Sequence, residues 1–364
     1  MRFLEESLTR AEIERRVGRL SQIGGTRHYE LVDGAERGTR AVDVDTGDGF
    51  VFTVLPDRGM DISRAVHRGA NLVYQGPGGE THPSFYDPRG FGWIRLFFGG
   101  LLTTCGVRSF GPPGEDDGEE LGLHGRVNVT PAVGFADVSH WDGEEYVLEL
   151  RGTVEEVVAL GPRMRMERTI TARLGEPSLR IRDIVRNDGA TTSPFLILYH
   201  INPGFPLLGP GTELSLASKS CLAYEDHTRG HEKDALRFGP PTPGWKEQNF
   251  LHTVAPGLDG RALVCFSNPR LLGGMALWIR YDPSVLPYFS EWKMLGEADY
   301  VVGLEPCNAQ ILPRKRLREQ GRLPVLEPGQ TREMIVEIGI ADGPARVAAL
   351  KEEIASALGD AFHV

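Results

Sequence analysis

Apolar and polar residues alternate with a period of two through most of this chain, which restricts it to strands that bury one face. Arg165-Met166-Glu167-Arg168-Thr169-Ile170-Thr171-Ala172 shows the pattern cleanly, and it recurs in residues 41–45, 50–55, 146–150, 163–174, 179–186, 195–201, 262–266, 275–281 and 333–340. The 45 glycines and 25 prolines punctuate these runs with turns, so the expected fold class is all-β and antiparallel. Helical spacing returns only near the two ends. Thr9 can cap a short helix over 9–20 with Glu12 as its capping-box partner, and Val347, Leu350, Ile354 and Leu358 form one stripe over 344–358 that should pack outside a sheet. Residues 76–92 and 218–244 are polar, rich in Gly and Pro, and read as long loops.

No linker composition and no short-period repeat divides the 364 residues, so one domain over 1–364 is expected, as a monomer or homodimer. The formal charge of -10 disfavours nucleic acid and anionic lipid as partners; the basic run from Arg314 to Arg318 reads as a solvated loop. The N-terminal segment lacks the apolar stretch of a secretory signal, and nowhere do about 18 apolar residues run together, so neither export nor a membrane span is expected. Cys105, Cys221, Cys265 and Cys307 contain no CxxC pair and read as reduced thiols, which fits a cytoplasmic setting.

Three short segments place ionisable groups beside tight turns or strand ends. His124 lies in Leu121-Gly122-Leu123-His124-Gly125-Arg126, where glycines let the backbone approach a ligand. His200 and Asn202 share one face of a strand that stops at Pro203, and Glu305 ends the apolar run Val301-Val302-Gly303-Leu304. Each alone has an ordinary structural explanation, in packing or in a solvated turn. Together, a carboxylate and two imidazoles are suited to exchanging protons near neutral pH. Two histidines and a carboxylate could also form a facial metal site; no metal and no cofactor is expected here.

The order of these segments resembles the aldose 1-epimerase (galactose mutarotase-like) superfamily. Leu123-His124-Gly125, Tyr199-His200-Ile201-Asn202 and Gly303-Leu304-Glu305-Pro306 are similar to its three site motifs. Leu55-Pro56-Asp57-Arg58-Gly59-Met60-Asp61-Ile62, Gly99-Gly100-Leu101-Leu102-Thr103-Thr104-Cys105-Gly106 and Trp292-Lys293-Met294-Leu295-Gly296 resemble the signatures of a bacterial branch of unassigned function. The resemblance covers roughly residues 40–340. It implies a single antiparallel β-supersandwich and an isomerase of a reducing sugar, with Glu305 as base on the anomeric hydroxyl, His200 as acid at the ring oxygen, and His124 orienting the substrate.

For substrate binding the expected residues are Asn202 and Asn308, whose amides suit sugar hydroxyls, and Trp292, which with Trp93, Phe97 and Trp245 can stack on a pyranose. Arg95 and Arg108 lie where the superfamily places a ligand-binding arginine. Arg58, Asp61 and Lys293 belong to the branch signatures, and they either shape substrate preference or form structural ion pairs. The aspartate expected between histidine and glutamate has no match in 225–234. Alternatives of another kind are epimerisation at a carbon next to a carbonyl, and a carbohydrate-binding protein without turnover.

Overall fold

In the computed structural model, which describes residues 2–3 and 6–358, the alternating segments pair into three main antiparallel sheets. The largest, of nine strands, runs in the order Val133–Asp137, Glu145–Val157, Arg163–Arg173, Ser178–Asn187, Thr331–Asp342, Met275–Tyr281, Ala262–Asn268, Glu213–Leu216, with His140–Asp142 at one edge. A six-stranded sheet runs Ser218–Ala223, Gln248–Val254, Tyr288–Leu295, Tyr300–Cys307, Leu196–His200, Thr103–Val107. The third, of five strands, is the meander from Gly25–Glu30 to Ala70–Asn71, joined to the second through the Ile62–Leu102 bridge.

Burial in Arg163–Arg173 follows the sequence pattern: Met164, Met166, Ile170 and Ala172 point into one apolar cluster. Leu179, Ile181, Val336 and Ile338 join them from the nine-stranded sheet, and Ile197, Tyr199, Phe289, Val302 and Leu304 from the six-stranded one. Tyr300–Cys307 and Leu196–His200 are buried at every position, because a second cluster lies on the outer face of their sheet. Leu196, Leu198, Cys105 and Cys307 meet Trp93, Phe110, Leu123 and Leu317 there. The six-stranded sheet is therefore a middle layer, with a large core beneath it and a smaller one above.

Arg168 occupies a core-facing position and is sealed from water, as are its partners Asp61 and Asp183. It donates to Asp183 through Nε and Nη2 (2.8 and 2.7 Å) and to Asp61 through Nη1 (2.8 Å). Tyr199 donates to Asp183 at 2.7 Å, while Thr104 donates to Asp61 from its amide and its hydroxyl at 2.7 and 2.6 Å. Burial raises Asp61 to about 6, against the pull of Arg168.

Both end helices exist, with different extents. The Thr9–Glu12 capping box forms, yet the N-terminal helix covers only Arg10–Glu14 instead of 9–20. Only Ile13 of its apolar positions is buried, and Gly18 follows within a turn, so packing does not extend it. The C-terminal helix, Pro344–Leu358, matches its expected span and lies over Ala262–Asn268 and its neighbours through Val347, Leu350 and Ile354. Residues 218–223, expected as loop, form an edge strand, with Lys219, Ser220 and Leu222 on its exposed side. Among the described residues no helix is long and apolar enough to cross a membrane.

Replacing Arg168 with Met should strand two buried carboxylates and cost about 3–5 kcal/mol of stability. Denaturant unfolding should show a smaller loss at about pH 5 than at about pH 8, because protonation removes the uncompensated charge.

Candidate functional site

The register that pairs Leu198 with Cys307 and Ile201 with Leu304 places His200 directly opposite Glu305, on the outer face of the middle sheet. Their side chains meet, Nε2 to Oε1, at 3.1 Å. Both are nearly closed to solvent, at 5% and 2% exposure. Next along the same face come Ser290, paired with Glu305, and Trp292, paired with Gly303. Gly303 has a steric reason to be glycine: an added Cβ would sit 2.2 Å from Glu305 Oε1, 2.9 Å from the His200 ring and 3.1 Å from Trp292. The carboxyl folds back over bare backbone to reach the imidazole.

His124 arrives from a loop. Its backbone is left-handed at φ 58°, and the chain around it is bonded to Gly111, Gly106 and, through Leu123, Gly90. Gly125 packs so closely that a Cβ would lie 2.3 Å from Ser109 O, so the Leu-His-Gly motif is a threading requirement as well as a chemical one. The Gly111 amide donates to His124 Nδ1 at 3.4 Å, which leaves Nε2 to carry the proton and donate outward. The His124 and His200 rings lie edge to face, 6.0 Å apart. Trp93 stands 4.7 Å from His124, and Phe97 and Trp292 stand 5.3 and 5.6 Å from His200. Trp292 is held by its indole N–H to Glu247 at 3.0 Å, and Trp93 by its own to Asn128 at 2.7 Å.

This apolar wall fixes the protonation. Burial raises Glu305 to about 8, with Ser290 opposing the shift and Glu291 adding to it. Burial also lowers His200 to about 3, helped by His124, and takes His124 to about 4. A close carboxyl–imidazole contact could be an ion pair, but both shifts favour the neutral forms. At neutral pH the pair thus holds one proton, on the carboxyl, beside a neutral imidazole. His200 Nδ1 and Asn202 Oδ1 are both buried without a bonded partner. Asn202 acts on this pair of groups only by holding the His200 value up, and its bond to His200 runs from its amide to the backbone carbonyl.

The site thus gathers Glu305, His200, His124 and Trp292, with Trp93 and Phe97; Asn202 adjoins it through the His200 carbonyl, and the remaining candidates lie apart. Asn202 is fully buried, and its amide donates to Gly99 O and His200 O. Asn308 accepts from Ile197 N–H and donates to Phe195 O, both at 2.9 Å, so its amide is spent on the sheet. Lys293 points to the opposite face, where it donates to Asp234 O and Arg237 O, and Arg108 is paired with Glu119. Arg95 is exposed on the 92–96 turn. Arg58 and Asp61 are wholly buried and bonded to the protein itself. Six of these seven side chains are bonded within the protein rather than open to a ligand, and Arg95 stays outside the site. Sequence reasoning missed Ser290 and Gly303; two-residue spacing from Trp292 and Glu305 was the available signal.

Among the described residues no three His, Cys, Asp or Glu side chains form a group that could hold a metal ion. A broader concavity of 870 Å³ lies on the outer face of the nine-stranded sheet, lined by Arg151, Arg182, Glu149 and Glu337. Its charges pair with neighbours, as in Arg151–Glu149 and Arg182–Glu333, and it contains none of the site residues.

Replacement of Gly303 by Ala is expected to separate Glu305 from His200 while circular dichroism stays that of the parent. A changed His200 imidazole ¹⁵N spectrum would report the separation; an unchanged one would contradict the steric account.

A family model described as a domain of unknown function (DUF4432) matches residues 36–340. A Klebsiella pneumoniae protein provisionally described as an aldose 1-epimerase has a similar structure, with TM-score 0.87 at 23% identity, over 98% of this chain and 96% of that one. A galactose mutarotase-like protein of Clostridium acetobutylicum gives TM-score 0.61 at 10% identity, over 88% and 99%. Galactose 1-epimerase of Lactobacillus acidophilus gives 0.55 at 12% identity, over 88% and 100%. The fold is that of the galactose mutarotase-like proteins. No curated protein matches the chain in sequence.

Proposed function

The chain belongs to the DUF4432 family, and from the chemistry of its site we propose that it is an isomerase that interconverts the anomers of a reducing sugar by acid–base ring opening and reclosure. The observation that carries this reading is the dry His200–Glu305 pair at 3.1 Å, holding one proton between an acid and a base. Transfer of that proton from Glu305 to His200 produces carboxylate and imidazolium. Glu305 then takes the proton of the anomeric hydroxyl while His200 gives its proton to the ring oxygen, and the bond from the anomeric carbon to that oxygen breaks. The pair again holds one proton, on Glu305. Rotation of the free carbonyl and the reverse transfers close the ring on the other face.

His124, neutral and with Nε2–H free, donates to a substrate oxygen in this scheme, and Trp292, Trp93 and Phe97 supply apolar surface for the sugar ring. The substrate is a carbohydrate small molecule. The fold shared with galactose 1-epimerase of Lactobacillus acidophilus supports the reading, as does the absence of any demand for an external proton.

Glu305→Gln and His200→Asn should each slow anomer exchange by about 10²-fold or more, with melting temperatures near the parent's. NMR exchange spectroscopy on reducing aldoses, ketoses and sugar phosphates in deuterated water measures this. Near-parental rates in both variants would sink the assignment, and deuterium entering a sugar C–H would redirect it to carbon epimerisation.

The singly protonated pair is the active form. Activity should therefore hold across neutral pH and fall as pH rises through about 8, where Glu305 gives up the pair's only proton. A pH–rate profile that rises through that range would contradict the shared-proton scheme.

A further inference from the structure

The turn Pro56-Asp57-Arg58-Gly59-Met60-Asp61 lies outside the site, yet its partners lead back to both histidines. Arg58 is 0% exposed and faces no carboxylate within bonding distance. Its guanidinium donates instead to three carbonyls: Asn128 O from Nε (2.8 Å), Thr81 O from Nη1 and Leu96 O from Nη2 (2.7 Å each). The Phe98 ring lies 4.9 Å from it. A guanidinium sealed against carbonyls alone is costly, and it is tolerated where several chain segments need one rigid, many-armed donor.

Two of those segments, at Asn128 and Leu96, are the ones that build the wall. Asn128 closes the loop that begins at His124-Gly125, and its side chain holds the Trp93 indole. Leu96 lies between Trp93 and Phe97. The same turn grips this loop twice more, by Gly59 N–H to Thr130 O (3.0 Å) and Ala132 N–H to Pro56 O (2.9 Å). At its other end Asp61 holds the Thr104 amide and hydroxyl. Thr104 pairs in register with Tyr199, whose hydroxyl returns to the same network through Asp183, and His200 is the next residue.

We infer that Arg58 and Asp61 are the paired positioning residues of the site, Arg58 setting His124 with its aromatic wall and Asp61 setting the strand that presents His200. Neither touches substrate. The inference rests on the proposed acid–base reading for its effect on rate, but its geometric content stands apart from that reading.

The test uses the full-length protein with Arg58→Lys, which keeps the charge but replaces three spread nitrogens by one, and Asp61→Asn, which puts an amide NH₂ against the Thr104 N–H. Imidazole and indole resonances are read by NMR, and anomer exchange is read with galactose as the probe. Arg58→Lys should move the His124 and Trp93 signals and leave His200 in place; Asp61→Asn should do the reverse. Each should lower kcat by about 10–100-fold with KM within about threefold, since misplacement of catalytic groups by about 1 Å has that effect.

Lower melting temperatures with unmoved histidine and indole signals and parental kcat would overturn the inference and leave a purely structural role. Should Arg58→Lys fail to fold, the isosteric Asp61→Asn decides, and an unmoved His200 signal overturns it. Should the parent protein exchange no sugar, the proposed function fails, while the resonance shifts still test the positioning.

Discussion

One guanidinium ties the three sheets together. Arg168 projects from the nine-stranded sheet, Asp61 from the five-stranded meander, and Thr104 and Tyr199 from the six-stranded sheet, and all of them meet in one hydrogen-bonded cluster closed to water. Two carboxylates and one guanidinium leave an excess negative charge, so the cluster is a poor source of net stability. What it supplies is register. Hydrophobic packing between sheets tolerates sliding, whereas bidentate contact with Asp183 and a further bond to Asp61 are satisfied in only one alignment.

That alignment matters because the central strands Leu196–His200 and Tyr300–Cys307 of the middle sheet are buried on both faces. Its inner side chains fill the large core; its outer ones form the floor of the site and of the smaller cluster around Trp93 and Leu123. A slip of one residue in Leu196–His200 would turn His200 into the core and Tyr199 out toward Glu305. The Tyr199–Asp183 bond resists that slip from below, and the His200–Glu305 contact resists it from above.

The alternation of Met164, Met166 and Ile170 was legible because burial on one face writes itself into a period of two. Arg168 sits in the same row, and its meaning was hidden: its acids lie 15 and 107 residues away, and periodicity marks a face, not a partner. The N-terminal cap was likewise readable, as local chemistry, while the helix length depended on packing that only Ile13 provides. Ser218–Ala223 looked like loop because an edge strand carries polar residues on its open side. The ordered motifs named Glu305, His200 and His124, three side chains that the fold brings together. Asn308, Lys293 and Arg58 were misjudged for a common reason: sequence shows that a side chain has donors, but not that a backbone carbonyl already holds them.

The same dryness that hides these partners explains how a carboxyl and an imidazole can serve together. In water at neutral pH the carboxyl would be ionised and the imidazole would titrate independently. Against Trp93, Phe97 and Trp292, any net charge is penalised, so adding a second proton and removing the last are both disfavoured. One proton stays in the pair over a wide pH range, resting on Glu305. Ring opening of a hemiacetal needs a proton taken at one oxygen and another given at its neighbour, with no change in total charge. In the proposed reaction a pair that penalises net charge while permitting internal transfer meets that requirement, and it places the main burden of the protein on holding two strands in register.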